Sequence, residues 1–300
     1  MEKRISIELG CENLRVAVVD SQGKILHQLS APTNVHQGYD TVMSRMIALI
    51  KQLRDVSSCT HIGIGVPGPI DADEGILTMA TNLTGFDHKP IKKDLETAFS
   101  IPCHIENDVN VAALAEARYG AGKGYRSLYY ISLSTGIGGA YVLAGHILRG
   151  TNGYAGEIGN IIIDQNRDKY NHLNIGAVEN EASGNAITRE GKCYFGDDIV
   201  QNAGDVFAQA RLNDPIAIKL CDDFSKDLAV MMSTIAHVID PQVFIFGGGC
   251  MKSADMFFSL MEERFRSLIH ERMRHVEVKK AQLQNPGLLG AALLPEVESF

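Results

Sequence analysis

No lysine- or arginine-rich run interrupts this 300-residue sequence, and its formal net charge is −8. Nucleic acid is therefore not expected as a partner, because a phosphate backbone rewards clustered positive charge. No apolar segment reaches the length that crosses a bilayer. No leader-like segment stands before the strand-like run "RISIELG", so a cytoplasmic protein with no membrane contact is expected. The six cysteines (Cys11, Cys59, Cys103, Cys193, Cys221, Cys250) form no C-x-x-C pair. That scatter speaks against a disulfide framework and a zinc knuckle alike. A G-x-x-x-x-G-K-[ST] loop is missing too, since "GAGKGY" fails the spacing.

What is present is the balance of a globular protein, 45% hydrophobic and 21% charged, long enough for one large domain or two ordinary ones. The first 32 residues alternate as three short strands, about 4–9, 14–19 and 24–30, with "DSQGK" as a hairpin turn. Residues 39–54 place Val42, Met46, Ile47 and Ile50 at helical spacing. A buried strand follows in "THIGIGVPGPID", then a short helix in "PIKKDLETAF", a strand in "PCHIENDV" and a helix stopped by Gly120. At residue 127 the three-strand pattern begins again with "SLYYISLSTGIGGAYVLAGHILRG". Helices are predicted at 203–211, 214–239 and 253–270, with the strand "QVFIFGGG" before the last of them.

Two copies of a βββ-led α/β unit predict two related domains, 1–118 and 119–287, with 288–300 packing back on the first. The fold class expected is α/β, an actin-like ATPase (ribonuclease H-like) fold with a central cleft that glycine turns face. "GIGVPG" (63–68) matches G-x-G-x-x-G, but "PIDADEG" after it opens no helix, so a dinucleotide fold is set aside. The loop "STGIGGA" can be an ordinary tight turn, or a place where backbone N–H groups close on an anion.

Six stretches in fixed order, "GVPGPID", "IENDVN", "STGIGGA", "RGTNGYAGEIGN", "ENEASGNAI" and "DPQVFIFGGG", resemble the ROK family of sugar kinases and sugar-responsive repressors. The resemblance implies ATP-dependent transfer of phosphate to the 6-hydroxyl of a hexose or N-acetylhexosamine, with Mg²⁺ as cofactor and a homodimer as the assembly. It casts Asp108 as the base that takes the hydroxyl proton, against the plainer reading of a helix cap. Asn107, Glu157, Glu179, Asn82 and Gly68 become sugar-binding residues. Gly10, Ser134, Thr135, Gly136, Gly138 and Gly139 are expected at the phosphates, and Gly247, Gly248 and Gly249 along the adenosine.

Two departures stand out. Many relatives carry a cysteine-rich zinc run where this chain reads "DKYNHLNIGAVE", and Asn160 takes a histidine's place; His172 alone cannot hold a structural zinc, and none is expected. The first phosphate loop, D-x-G-G-T-K in active relatives, reads "ELGCEN". A Glu12 facing phosphate would repel it by up to about 4 kcal/mol at close range in a moderately polar site. The alternative to a kinase is thus a sugar-binding sensor that has lost ATP.

Overall fold

The opening meander forms as the alternation predicts: β1 (Lys3–Leu9), β2 (Asn13–Asp20) and β3 (Ile25–Pro32) pair antiparallel in sequence. The computed structural model describes residues 2–80 and 82–297. It divides into two compact units, Met1–Arg126 with Ala140–Ala155 and Gln282–Phe300, and Ser127–Gly139 with Gly156–Ala281.

In the first unit, helix α1 (Tyr39–Ile50) leads to β4 (Cys59–Val66), which lies parallel to β1. A small hairpin, β5 (Ile70–Asp71) and β6 (Ile76–Leu77), precedes α2 (Ile91–Phe99), β7 (Cys103–Asn107) and α3 (Asp108–Tyr119). The sheet order is β3-β2-β1-β4-β7. Helix α1 ends four residues before its predicted limit, and Leu53 reaches the core from the turn that follows.

The two faces of β1 are covered differently. Ile5, Ile7 and Leu9 share one core with Val42, Met46 and Ile50 of α1. Each such side chain contributes about 1.5–3 kcal/mol by leaving water. Arg4 and Ser6, on the opposite face, are buried as well. They meet the chain's last α-helix, α9 (Pro286–Ala291), where Ser6 donates to the Leu288 carbonyl and Arg4 Nη1 to that of Ala292 at 2.9 Å. This helix fits because Gly63 and Gly290 lack side chains: a Cβ on either would run into the backbone of Ala291 or Val111.

The second sheet repeats the plan. Strands β8 (Ser127–Leu133), β9 (Ile137–Leu143), β10 (His146–Ile147), β11 (Val243–Gly247) and β12 (Glu277–Lys280) run in the order β10-β9-β8-β11-β12. Each sheet is a three-strand meander extended by two parallel strands on the side of its first strand. The helices are α4 (Glu179–Ala182), α5 (Gly184–Phe195), α6 (Ala203–Arg211), α7 (Pro215–Ile239) and α8 (Phe258–Leu268). Helix α7 starts where the sequence predicts, with Asp214 capping the N–H groups of Ile216 and Ala217 and Pro215 in the first turn. The helix expected over 253–270 is instead a tight turn, Gly249–Met256, followed by α8. The break at Phe257 lets its ring enter the core beside Phe207 and Phe224, with centroids 5.7 and 5.0 Å away.

Candidate active site

Strand β7 runs without a loop into α3, and the junction is "EN-DVN". Asn107, not Asp108, is the helix cap: its Oδ1 accepts from Val109 N at 2.8 Å and Asn110 N at 3.2 Å. Asp108 is the first helical residue and also accepts from Val109 N, at 2.9 Å. The amide of Asn107 donates to the Gly68 carbonyl at 3.1 Å, tying the "GVPG" turn to the helix start. Gly68 has φ +103°, and a Cβ there would sit 2.7 Å from the Met79 carbonyl, so glycine is required. Asn82 lies apart from these hydrogen bonds, exposed in the loop before α2.

Behind the junction is a charge that no motif announces. Glu106 is fully buried; its Oε1 accepts from Asn107 N at 2.8 Å and Asn110 Nδ2 at 2.9 Å, and its Oε2 from Arg149 Nε. The start of α3 is therefore held from behind by an ion pair and from above by an asparagine bridge.

The first glycine loop is a tight hairpin, Gly10 N donating to Asn13 O at 2.9 Å. Its register places Glu8 opposite Arg15, and the two form an ion pair. Glu8 Oε2 is buried with no hydrogen-bond partner among the described residues, facing Gly287, where a Cβ would collide with it. Burial pushes the Cys11 thiol up, and the charge of Asp108 pushes it further. Glu12 is exposed at that tip.

In the second unit the loop between β8 and β9 is latched to α5: Gly184 N donates to Ser134 O at 2.8 Å and Asn185 N to Thr135 O at 3.1 Å. Glu179 Oε2 accepts from Ile137 N at 2.8 Å. Gly136 is bare because that carboxylate fills the space its Cβ would take, 2.5 Å away, and Gly159 yields to the same group at 2.9 Å. Gly139 makes room for Ile158 and Tyr129, Gly247 for the Tyr130 hydroxyl, and Gly248 combines φ +94° with the nearby Leu133 carbonyl. Gly138 lies between them on β9. Protein packing alone thus accounts for Gly136, Gly139, Gly159, Gly247 and Gly248, whatever ligand they face. Gly249 differs, since its Cβ would meet only Ser134 Oγ at 3.6 Å.

Ser134, Thr135 and Gly249 line one cavity of about 360 Å³. Asn185, Asn202 and Lys252 belong to its polar wall with Thr188, Gln201 and Ser253, and the motifs give no sign of any of them. The Asn202 capping box with Asp205 at the start of α6 was the one local signal available.

Glu157 keeps an open flank, yet its carboxyl is held above the ordinary value of 4.5, first by burial and next by the charge of Glu179; His172 opposes both. The folded protein therefore keeps this proton to higher pH than the unfolded chain, and stability declines as pH rises through the interval above 4.5. Solvent access keeps the effect modest. Glu157→Gln is expected to raise the thermal midpoint at pH 7 and flatten its dependence on pH above 4.5. A lower midpoint at pH 7 would show that Glu157 stabilises rather than strains the fold.

The sequence model of the ROK family matches residues 4–297. The chain belongs to the ROK family. A glucokinase from Thermotoga maritima is 30% identical over 97% of this chain and 96% of its own. A xylose repressor from Bacillus subtilis is 30% identical over 71% of this chain and 54% of its own. A ROK family glucokinase from Streptomyces griseus, solved in complex with glucose and AMPPNP, superimposes with a TM-score of 0.82 at 27% identity, covering 98% of this chain and 99% of its own. This ROK protein accordingly has the actin-like ATPase fold of the family's sugar kinases. Among the described residues, no helix is long and apolar enough to cross a membrane.

Proposed function

We propose that this ROK protein is an ATP-dependent sugar kinase acting on the 6-hydroxyl of a hexose or N-acetylhexosamine. The observation that carries this reading is the β7–α3 junction, where capping falls to Asn107 and the carboxylate of Asp108 stands at a helix start. Asp108 accepts the hydroxyl proton as the sugar oxygen bonds to the γ-phosphorus and the bond to the β-phosphate oxygen breaks, releasing ADP. Asn107 and Gly68 hold the sugar-side turn, and Asn82 is a further sugar-binding residue of the same proposal. Glu179 offers Oε1 to sugar hydroxyls while Oε2 stays on Ile137 N, and Glu157 offers the second carboxylate.

Ser134 and Thr135 donate to phosphate beside the backbone of Gly136 to Gly139, while Gly10 shapes the first hairpin. Gly247 to Gly249 lie along the nucleoside. The buried, unpartnered oxygen of Glu8 fits an oxygen-seeking cation such as Mg²⁺. Magnesium, bound with the nucleotide, would neutralise phosphate charge. A homodimer working in the cytoplasm, with the two lobes drawn at 1–118 with 288–300 and at 119–287, belongs to the same proposal.

The test is ADP release from Mg-ATP with glucose, fructose, mannose and N-acetylmannosamine in turn. Release that depends on one or more of these sugars supports the kinase. Sugar binding by calorimetry with no ADP from any of them overturns it in favour of the sensor. That second reading is favoured by the first hairpin, where Glu8 is engaged by Arg15 and Glu12 is exposed at the tip. If Glu12 repels phosphate, Glu12→Thr lowers the KM for ATP by roughly tenfold or more, since about 1.4 kcal/mol is a factor of ten. An unchanged KM would place Glu12 away from the nucleotide.

A further inference from the structure

The cavity of the second unit is polar on most sides, but its charge is concentrated in one residue. Ser134 and Thr135 come from the β8–β9 loop, Asn185 from the start of α5, Asn202 from the cap of α6, and Lys252 from the turn after Gly249. Lys252 is the only lysine, arginine, histidine, aspartate or glutamate among the described residues of the lining. Its side chain belongs to an exposed residue and makes no ion pair with another described residue. We infer that Lys252 reads the charge of the ligand in this cavity, selecting nucleoside di- and triphosphates over the nucleoside and its monophosphate. This rests on the nucleotide reading above and adds to it the residue that sets the preference.

The argument is electrostatic. Hydroxyls and carboxamides bond to any polar ligand and respond weakly to its net charge. A lysine ammonium is a compact point charge on a flexible stem, so its attraction grows with each negative charge the ligand brings. The chain as a whole carries −8, so its average field opposes a polyanion. The Cys250 thiol also lines the cavity, but burial pushes it up to about 11, so it is neutral at pH 7 and adds no charge. Among the side chains of the lining, Lys252 alone adds a full positive charge to the partial charges at the starts of α5 and α6, so the steepest part of an affinity that rises with phosphate number falls to it.

Calorimetry with ATP, ADP, AMP and adenosine, in EDTA and at fixed ionic strength, tests this on the whole chain. Wild type is expected to bind in that order, ATP tightest. In Lys252→Gln the ratio of adenosine to ATP dissociation constants falls by about tenfold, with adenosine itself changed by less than about twofold. Lys252→Arg keeps most of the ratio, and the salt dependence of ATP binding is weaker in Lys252→Gln than in wild type. A ratio unchanged in Lys252→Gln overturns the inference and leaves the kinase reading standing. Parallel weakening of adenosine and ATP also overturns it, because that marks a structural role. Wild-type protein that binds none of the four ligands removes the nucleotide reading and the inference together.

Discussion

Asp108→Ala is expected to lower sugar-dependent ADP release by about 10²–10⁴-fold while the protein stays folded. The reason lies in the division of labour at the β7–α3 junction. Had Asp108 been the cap, its loss would cost helix stability, and lost activity would be ambiguous. The cap is Asn107, whose two backbone hydrogen bonds survive the substitution. The stability lost includes the hydrogen bond from Val109 N and the favourable placement of a carboxylate at a helix start, the latter about 0.3–1 kcal/mol. Asp108→Asn keeps shape and volume but cannot take a proton, so it falls by a similar factor.

A second readout does not depend on activity. Because the Asp108 charge raises the Cys11 thiol, removing it lowers that pKa, and alkylation of Cys11 quickens at a fixed pH, read by mass spectrometry of the labelled peptide. Turnover within tenfold of wild type in both variants would take the base role away from Asp108.

Much of this arrangement can be read from the chain, and what cannot has physical causes. The two βββ-led repeats are visible because strand alternation and turn residues are local signals, and the two sheets do share one strand order. The fate of the polar face of β1 is not visible. Arg4 and Ser6 alternate with Ile5 and Ile7 as in a strand wet on one side, yet α9 covers them from the far end of the sequence. No periodicity reports a contact between residues 6 and 288.

The glycines illustrate the opposite limit. Their positions in "STGIGG" and "FGGG" are legible, but sequence alone cannot separate a glycine that admits a ligand from one that admits Glu179 or Tyr130. The rest of the cavity wall is illegible for a third reason: Asn185, Asn202 and Lys252 join Thr135 from three other segments, and no spacing links them.

Arg149→Met is expected to destabilise the first unit by about 3–5 kcal/mol, the cost of removing one partner from a buried ion pair. Glu106 is fully buried, and its Oε2 has Arg149 for a partner, while Oε1 is committed to Asn107 N and Asn110 Nδ2. Methionine fills much of the arginine stem's volume, so the change isolates the charge from the packing. Lys at this position keeps the charge but loses the planar geometry of the guanidinium, and its cost should fall between those of Met and wild type.

The double variant Glu106→Gln/Arg149→Met separates the pair from the site, because it takes away the charge left stranded by the single change. Its stability should recover at least half of the loss, a coupling that a double-mutant cycle reads directly. Two units need not unfold as one transition, so protection of α3 amides by hydrogen exchange is the better measure than a single melting midpoint. If Arg149→Met leaves α3 protection within about 1 kcal/mol of wild type, water is solvating Glu106 once the arginine is gone. The start of α3, and Asp108 with it, would then owe its position to the Asn107 cap and not to the ion pair behind it.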